Sequence, residues 1–159
     1  MEIYLLRHAI AEDAAPGQAD NARALTEEGR EKLRRVLKRA RQADVSPSLI
    51  LSSPYRRALE TAGIAAEALG YEGRLVHSAA LVPDAAPRDV WEELRARRGE
   101  SAILLASHEP LMSSAAAFLL GCPALQVDMK KAALVRIDCE RLASEPRGVL
   151  KWMLTPAVT

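Results

Sequence analysis

Short apolar runs alternate with segments of helical periodicity, and this alternation limits the fold more than any other feature of the chain. Strand-like runs fall at residues 3–6, 49–51, 75–76, 103–106, 132–137 and 149–154, and helical patterns separate the first four. Residues 25–43, LTEEGREKLRRVLKRARQA, put Leu33, Val36, Leu37 and Ala40 on one face, with Thr26 as N-cap. Residues 53–70 put Leu59, Ala62, Ala66 and Leu69 on one side and stop at Gly70. A third helix is expected from Pro87 to a terminating Gly99, and a fourth with Pro110 in its first turn and Gly121 at its end. Strand and helix alternating in this way predict an α/β fold, a three-layer α/β/α sandwich around a mainly parallel sheet. No helical pattern separates the last two strands, so they are expected to form an antiparallel pair. Residues 12–24 are expected to form a flexible loop beside the first strand end.

No linker, repeat or low-complexity segment interrupts the 159 residues, and 1–159 reads as a single domain. A chain of this length buries about 68–70% of its extended surface on folding and needs no disulfide or metal staple. The formal net charge is +1, which argues against a nucleic-acid partner; any function that uses positive charge must concentrate it locally. Arg34, Arg35, Lys38, Arg39 and Arg41 form such a local run, read as a solvated helix face with a docking surface as the alternative. Cys122 and Cys139 are too few for a disulfide framework and are expected to be reduced, packed residues of a cytoplasmic protein. The chain has no apolar stretch of membrane-spanning length and no signal-peptide pattern, so no membrane partner is expected. A monomer is the expected state.

In an open parallel sheet, ligands bind beyond the carboxyl ends of the strands. Three such ends carry chemistry here: Arg7-His8 after the first strand, SSPYRRA (residues 52–58) after the second, and SHEP (residues 107–110) after the fourth. Arginine presents a permanently charged fork of donors that matches phosphate oxygens. The helix opening near Glu109 and Pro110 would add backbone N–H groups. An imidazole in that field can attack phosphorus, and a second can stabilise the charge that develops. His77 lacks such company and reads as structural, and Gly29, inside a helical pattern, reads as a packing site. Other phosphate chemistries lack their motifs: there is no Gly-rich loop ending in Lys-Ser or Lys-Thr, no cysteine followed six residues later by arginine, and no Asp-x-Asp. A metal held by His8, His108 and a carboxylate is disfavoured by the neighbouring arginines. Neither a metal nor a cofactor is expected.

The four segments LLRHA, LTEEG, SSPYRRALET and ASHEP, in that order, resemble the histidine phosphatase superfamily, whose fold is that of the phosphoglycerate mutases. Its hallmark is Arg-His-Gly, and here Ala9 stands third. The short length, RHAIAED, SHEP and KKAALVRID resemble the SixA-type phosphohistidine phosphatases most. The resemblance implies catalytic roles for four residues: His8 as the nucleophile, His108 as the second histidine, and Arg7 and Arg57 as phosphate ligands. Arg7, Arg57 and His108 would bind substrate, and Arg56, about 100° round the helix, would lie at the rim. Ser53 and Thr61 match supporting positions, and Lys131 falls where a basic residue near the pocket is frequent. The acidic residue of many members aligns with Ala80, which leaves Asp84 and Glu12 as candidate proton donors. The implied activity is metal-independent hydrolysis of protein-bound phosphohistidine through a phosphohistidine enzyme intermediate. The alternatives are a small-molecule phosphomonoesterase and a catalytically silent phosphate-binding module. The implied partner is a phosphorylated histidine protein or a small phosphorylated molecule.

Overall fold

The computed structural model describes residues 1–159. Six strands, β1 (Glu2–Arg7), β2 (Leu49–Ser52), β3 (Val76–His77), β4 (Ala102–Ser107), β5 (Leu134–Asp138) and β6 (Val149–Leu154), form one sheet in the order β3-β2-β4-β1-β5-β6. The pairs β1/β4, β2/β4 and β2/β3 are parallel, whereas β5 runs antiparallel to β1 and to β6. Helices α1 (Glu27–Gln42) and α2 (Arg56–Leu69) cover one face of the sheet, and α3 (Pro87–Ala96) and α4 (Leu111–Leu119) cover the other.

Strand β1 shows why the apolar runs are unbroken. Ile3 and Leu5 enter the core beneath α3 and α4, and Tyr4 and Leu6 enter the core beneath α1 and α2. A strand covered on both faces has no position to give to a polar residue. The polar residues therefore begin where the strand ends, at Arg7.

Thr26 caps α1, its hydroxyl accepting from the Gly29 N–H at 2.9 Å, and Leu33, Val36, Leu37 and Ala40 are buried as the periodicity requires. In α2 the buried face is rotated from the expected one. Leu59 and Ala66 are only half-buried, while Arg57, Ala58, Thr61, Ala62, Ile64, Ala65 and Leu69 are inside. The rotation carries two polar side chains, Arg57 and Thr61, toward the strand ends. Gly70, at φ 70°, closes this helix. Helix α3 stops at Ala96, ahead of Gly99, because Arg97 leaves helical geometry at φ −112°, ψ 36°. Residues 12–24 are tied down: they contain a helical turn at Asp20–Ala22, and Gln18 bonds Ala15 and Ala22. Cys139 is buried, but Cys122 is exposed, just past the turn at Gly121 where the chain leaves α4. His77 is exposed on β3, at the sheet edge.

After β1 the chain crosses to the α1 face; after β4, its neighbour in the sheet, it crosses to the α4 face. The carboxyl ends of β1 and β4 therefore border a crevice at a topological switch point, the usual position of a ligand site in such sheets. Gly29 holds α1 against this crevice: a Cβ there would lie 2.4 Å from the Ile10 carbonyl oxygen, two residues beyond His8. In an open helix, Gly→Ala would stabilise by about 1 kcal/mol. Here the backbone of Ile10 would have to move. Gly29→Ala is expected to destabilise the protein by about 1–3 kcal/mol in denaturant unfolding, as overpacking does. A stabilised variant would show that the contact is not rigid.

Candidate active site

The adjacent ends of β2, β4 and β1 bring Ser53, His108 and His8 together. His8 is 7% exposed and His108 1%, and their ring centroids are 5.2 Å apart. Nδ1 of His8 lies 2.7 Å from the Ala9 carbonyl oxygen, which can only accept. The ring proton therefore sits on Nδ1, and the lone pair is on Nε2. That Nε2 faces Arg57, whose Nε donates to it at 3.3 Å. Thr61 locks the pair in place: its hydroxyl donates to the Arg57 carbonyl at 2.7 Å and accepts from the Ala9 N–H at 3.2 Å.

His108 is held from the other nitrogen, with Nε2 at 2.8 Å from the Ser53 hydroxyl. The Tyr55 ring stands edge-on to His108 at 5.0 Å and carries the Arg57 guanidinium 5.1 Å above its own centroid. The Ser53 hydroxyl can donate to Nε2 or accept from it, and donation would place the proton of the neutral ring on Nδ1. This Nδ1 is buried without a protein partner, as is Nε of Arg7, whose Nη1 donates to the Met129 carbonyl at 2.8 Å. A buried polar group without a partner costs about 1–3 kcal/mol; Arg7 Nε is a donor suited to a phosphoryl oxygen, and His108 Nδ1 is one when its ring carries the proton there.

The two arginines of α2 differ in environment. Arg57 is 6% exposed by side chain, whereas Arg56 is 57% exposed and pairs with Glu60 at 3.4 Å. The Arg57 fork is engaged by one residue that the sequence reading missed: Nη1 donates to the Asp20 carbonyl at 2.9 Å and Nη2 to its carboxylate at 3.1 Å. Arg23 also binds that carboxylate, at 2.9 Å. Nothing in residues 12–24 marks Asp20 or Arg23 in advance; a carboxylate and an arginine three residues apart in a polar loop are ordinary. Tyr55 was missed as well, although its place between Ser53 and Arg57 was a usable signal. Glu12 and Asp84 are both exposed, and neither side chain bonds to a site residue. Glu12 meets the loop through its backbone carbonyl, which accepts from Arg23. Ala80 lies in the short turn directly after β3 and offers no polar atom beyond its backbone. At α4, the Glu109 carboxylate takes the Ser113 N–H at 2.8 Å, so that donor is unavailable to a ligand. The structure has no group of three or more His, Cys, Asp or Glu side chains placed to hold a metal ion.

Burial, with the charges of Arg57, Arg7 and Lys131 beside it, pushes His8 down to about 4. Burial, with His8 and Arg57 nearby, pushes His108 down to about 3. Both rings are neutral at pH 7, and the His8 Nε2 lone pair, which accepts from Arg57 Nε–H, carries no proton. For Asp20, burial acts to raise the carboxyl, but Arg57 and Arg23 outweigh it and hold it below the usual range, which makes it a poor proton donor.

The histidine shifts set the pH dependence of stability. Between about pH 6.5 and 4 the unfolded chain binds more protons than the folded one, so stability falls as pH falls through that window. Each pKa unit corresponds to about 1.4 kcal/mol. The melting temperature of the wild type is expected to fall more steeply from pH 6.5 to pH 4 than that of a His8→Asn/His108→Asn variant. Parallel curves would contradict the buried neutral pair.

Buried neutral imidazoles, a buried arginine against one of them and the orphan donor of Arg7 at a sheet switch point define a site for an oxyanion. Sequence comparison agrees. Residues 3–81 match the family model of the histidine phosphatase superfamily, branch 1. A protein of Picosynechococcus sp. is 31% identical over 164 residues, spanning 97% of this chain and 99% of its own. Among solved structures, the protein histidine phosphatase SixA complexed with tungstate superposes with a TM-score of 0.87 at 25% identity, over 99% of this chain and 98% of that one. A putative phosphohistidine phosphatase SixA from Agrobacterium tumefaciens gives a TM-score of 0.84 at 26% identity, over 98% of this chain and 97% of that one. The chain belongs to the histidine phosphatase superfamily, in its SixA-type branch, and this membership supports phosphatase activity.

Proposed function

We propose that the protein hydrolyses protein-bound phosphohistidine, without a metal, through a phosphoryl group carried on His8. One observation carries this reading: the His8 Nε2 lone pair, fixed by the Nδ1 contact to Ala9, faces Arg57 in a buried site where the ring stays neutral. In the first step Nε2 attacks phosphorus and the bond to the substrate imidazole breaks. That imidazole, protonated from solvent on its other ring nitrogen, leaves as a neutral ring. In the second step water attacks the phosphoryl group, releasing inorganic phosphate and restoring His8. Arg7, Arg57 and the His108 Nδ1–H stabilise the charge on the equatorial oxygens.

The leaving group separates this reading from a general phosphomonoesterase. Asp84 and Glu12 are exposed and unattached to the site, and Asp20 is held ionised by two arginines. Alkoxide leaving groups need an acid, while a protonated imidazole or a stabilised phenolate does not. With EDTA present throughout, phosphohistidine and nitrophenyl phosphate are expected to be cleaved much faster than phosphoserine or a sugar phosphate. Asp84→Asn is expected to have little effect on the first two. Comparable kcat/KM for phosphoserine and phosphohistidine would reject the assignment, and a requirement for a divalent cation would reject metal independence.

A further inference from the structure

Beside the site, a cavity of about 620 Å³ is lined by Arg7, Lys32, Arg35, Lys130 and Lys131, together with Ile10 and the turn Thr155–Ala157, and by no acidic residue. It shares Arg35 with a second cavity of about 350 Å³, to which Lys38, Arg39 and the last residue, Thr159, contribute, again without an acidic side chain. The two form one strip that starts at Arg7, next to the nucleophile, and follows the solvent face of α1. Glu28 pairs with Lys32 and Asp128 with Lys130. Arg7, Arg35, Lys38, Arg39 and Lys131 have no ion pair. In a chain of net charge +1, this is a local concentration of the kind that selects an anionic partner.

We propose that this strip docks an acidic face of the protein substrate, beside the phosphohistidine presented to His8. The proposal rests on the phosphohistidine reading above and adds the chemistry of the partner's surface. The length of the strip favours a protein over a metabolite. From Lys32 to Arg39 alone it follows α1 for about 10 Å. A small phosphate seated at Arg7 would leave most of that length unused. The composition of the strip disfavours single-stranded nucleic acid, since neither cavity is lined by an aromatic side chain on which a base could stack. The strip lies to one side of the catalytic pair, as a surface contacting residues flanking a phosphorylated side chain must.

The test uses short peptides phosphorylated on one histidine, flanked either by Asp and Glu or by Ser and Gly. The variant is Lys32→Gln/Arg35→Gln/Lys38→Gln, on the outer face of α1, at positions that make no hydrogen bond to His8, His108, Arg7 or Arg57. For the wild type, kcat/KM for the acidic peptide is expected to exceed that for the neutral one by about tenfold at low salt, the sum of a few exposed charge pairs. The preference is expected to fade at high salt and to vanish in the variant, while free phosphohistidine is cleaved equally by both. Independently, the unphosphorylated acidic peptide is expected to inhibit nitrophenyl phosphate hydrolysis by the wild type and not by the variant. Equal rates on both peptides, or a preference that survives in the variant, would overturn the proposal. So would stronger inhibition by a short RNA or by polyphosphate of equal charge. If no phosphohistidine substrate were cleaved but peptide inhibition held, the docking surface would stand and the substrate assignment would fail.

Discussion

His8→Ala is expected to abolish turnover of every phosphate substrate, by roughly a thousandfold or more, as removal of a covalent nucleophile does. Nothing else at the site can replace it. The neighbouring imidazole of His108 has its Nε2 engaged by the Ser53 hydroxyl at 2.8 Å, whereas the His8 Nε2 faces Arg57 in the site. The variant is expected to keep its fold, with an unchanged circular dichroism spectrum at neutral pH. His8 lies past the end of β1, and the strand is held by apolar contacts on both faces. The phosphate-binding residues remain, so the variant should still bind substrate. Measurable turnover by a folded His8→Ala protein would remove the covalent mechanism.

Arg57→Ala is expected to lower kcat/KM by about a hundredfold or more, the usual cost of losing a preorganised donor to a transferring group. Arg56→Ala is expected to change it by a few-fold at most, in a salt-sensitive way. The geometry underlies the contrast. Arg57 is buried, touches His8 Nε2 and is aimed by Asp20 and Tyr55, whereas Arg56 is solvated beside Glu60. Arg57→Lys would not restore the activity, because an ammonium on a flexible stem cannot reproduce the fixed fork. A larger loss from Arg56→Ala than from Arg57→Ala would mean that α2 is misassigned by one residue.

These two results depend on features that were unevenly legible in the sequence. The buried face of α1 could be read directly, because Leu33, Val36, Leu37 and Ala40 form an apolar stripe whose only job is packing. The strand ends were legible for a related reason: in a strand covered on both faces, Arg7 and His8 mark the point where cover stops. Helix α2 was misread where function begins. A pattern reading turns polar residues outward, so it placed Leu59 and Ala66 inside, whereas the structure buries Arg57 and Thr61. The Asp20–Arg57 contact joins a loop to a helix 37 residues away and leaves no local trace. Cys122 was expected inside on composition, but exposure depends on where the chain turns after Gly121, which composition does not record.

The central claim is that the phosphoryl group passes through His8. Wild-type enzyme turning over labelled phosphohistidine or nitrophenyl phosphate can be quenched with denaturant and digested, and the labelled peptide identified. The account predicts label on the peptide containing His8, labile in acid and stable in base, and none in His8→Ala. Turnover that leaves no label on His8, or that places an acid-stable label elsewhere in the chain, would contradict it.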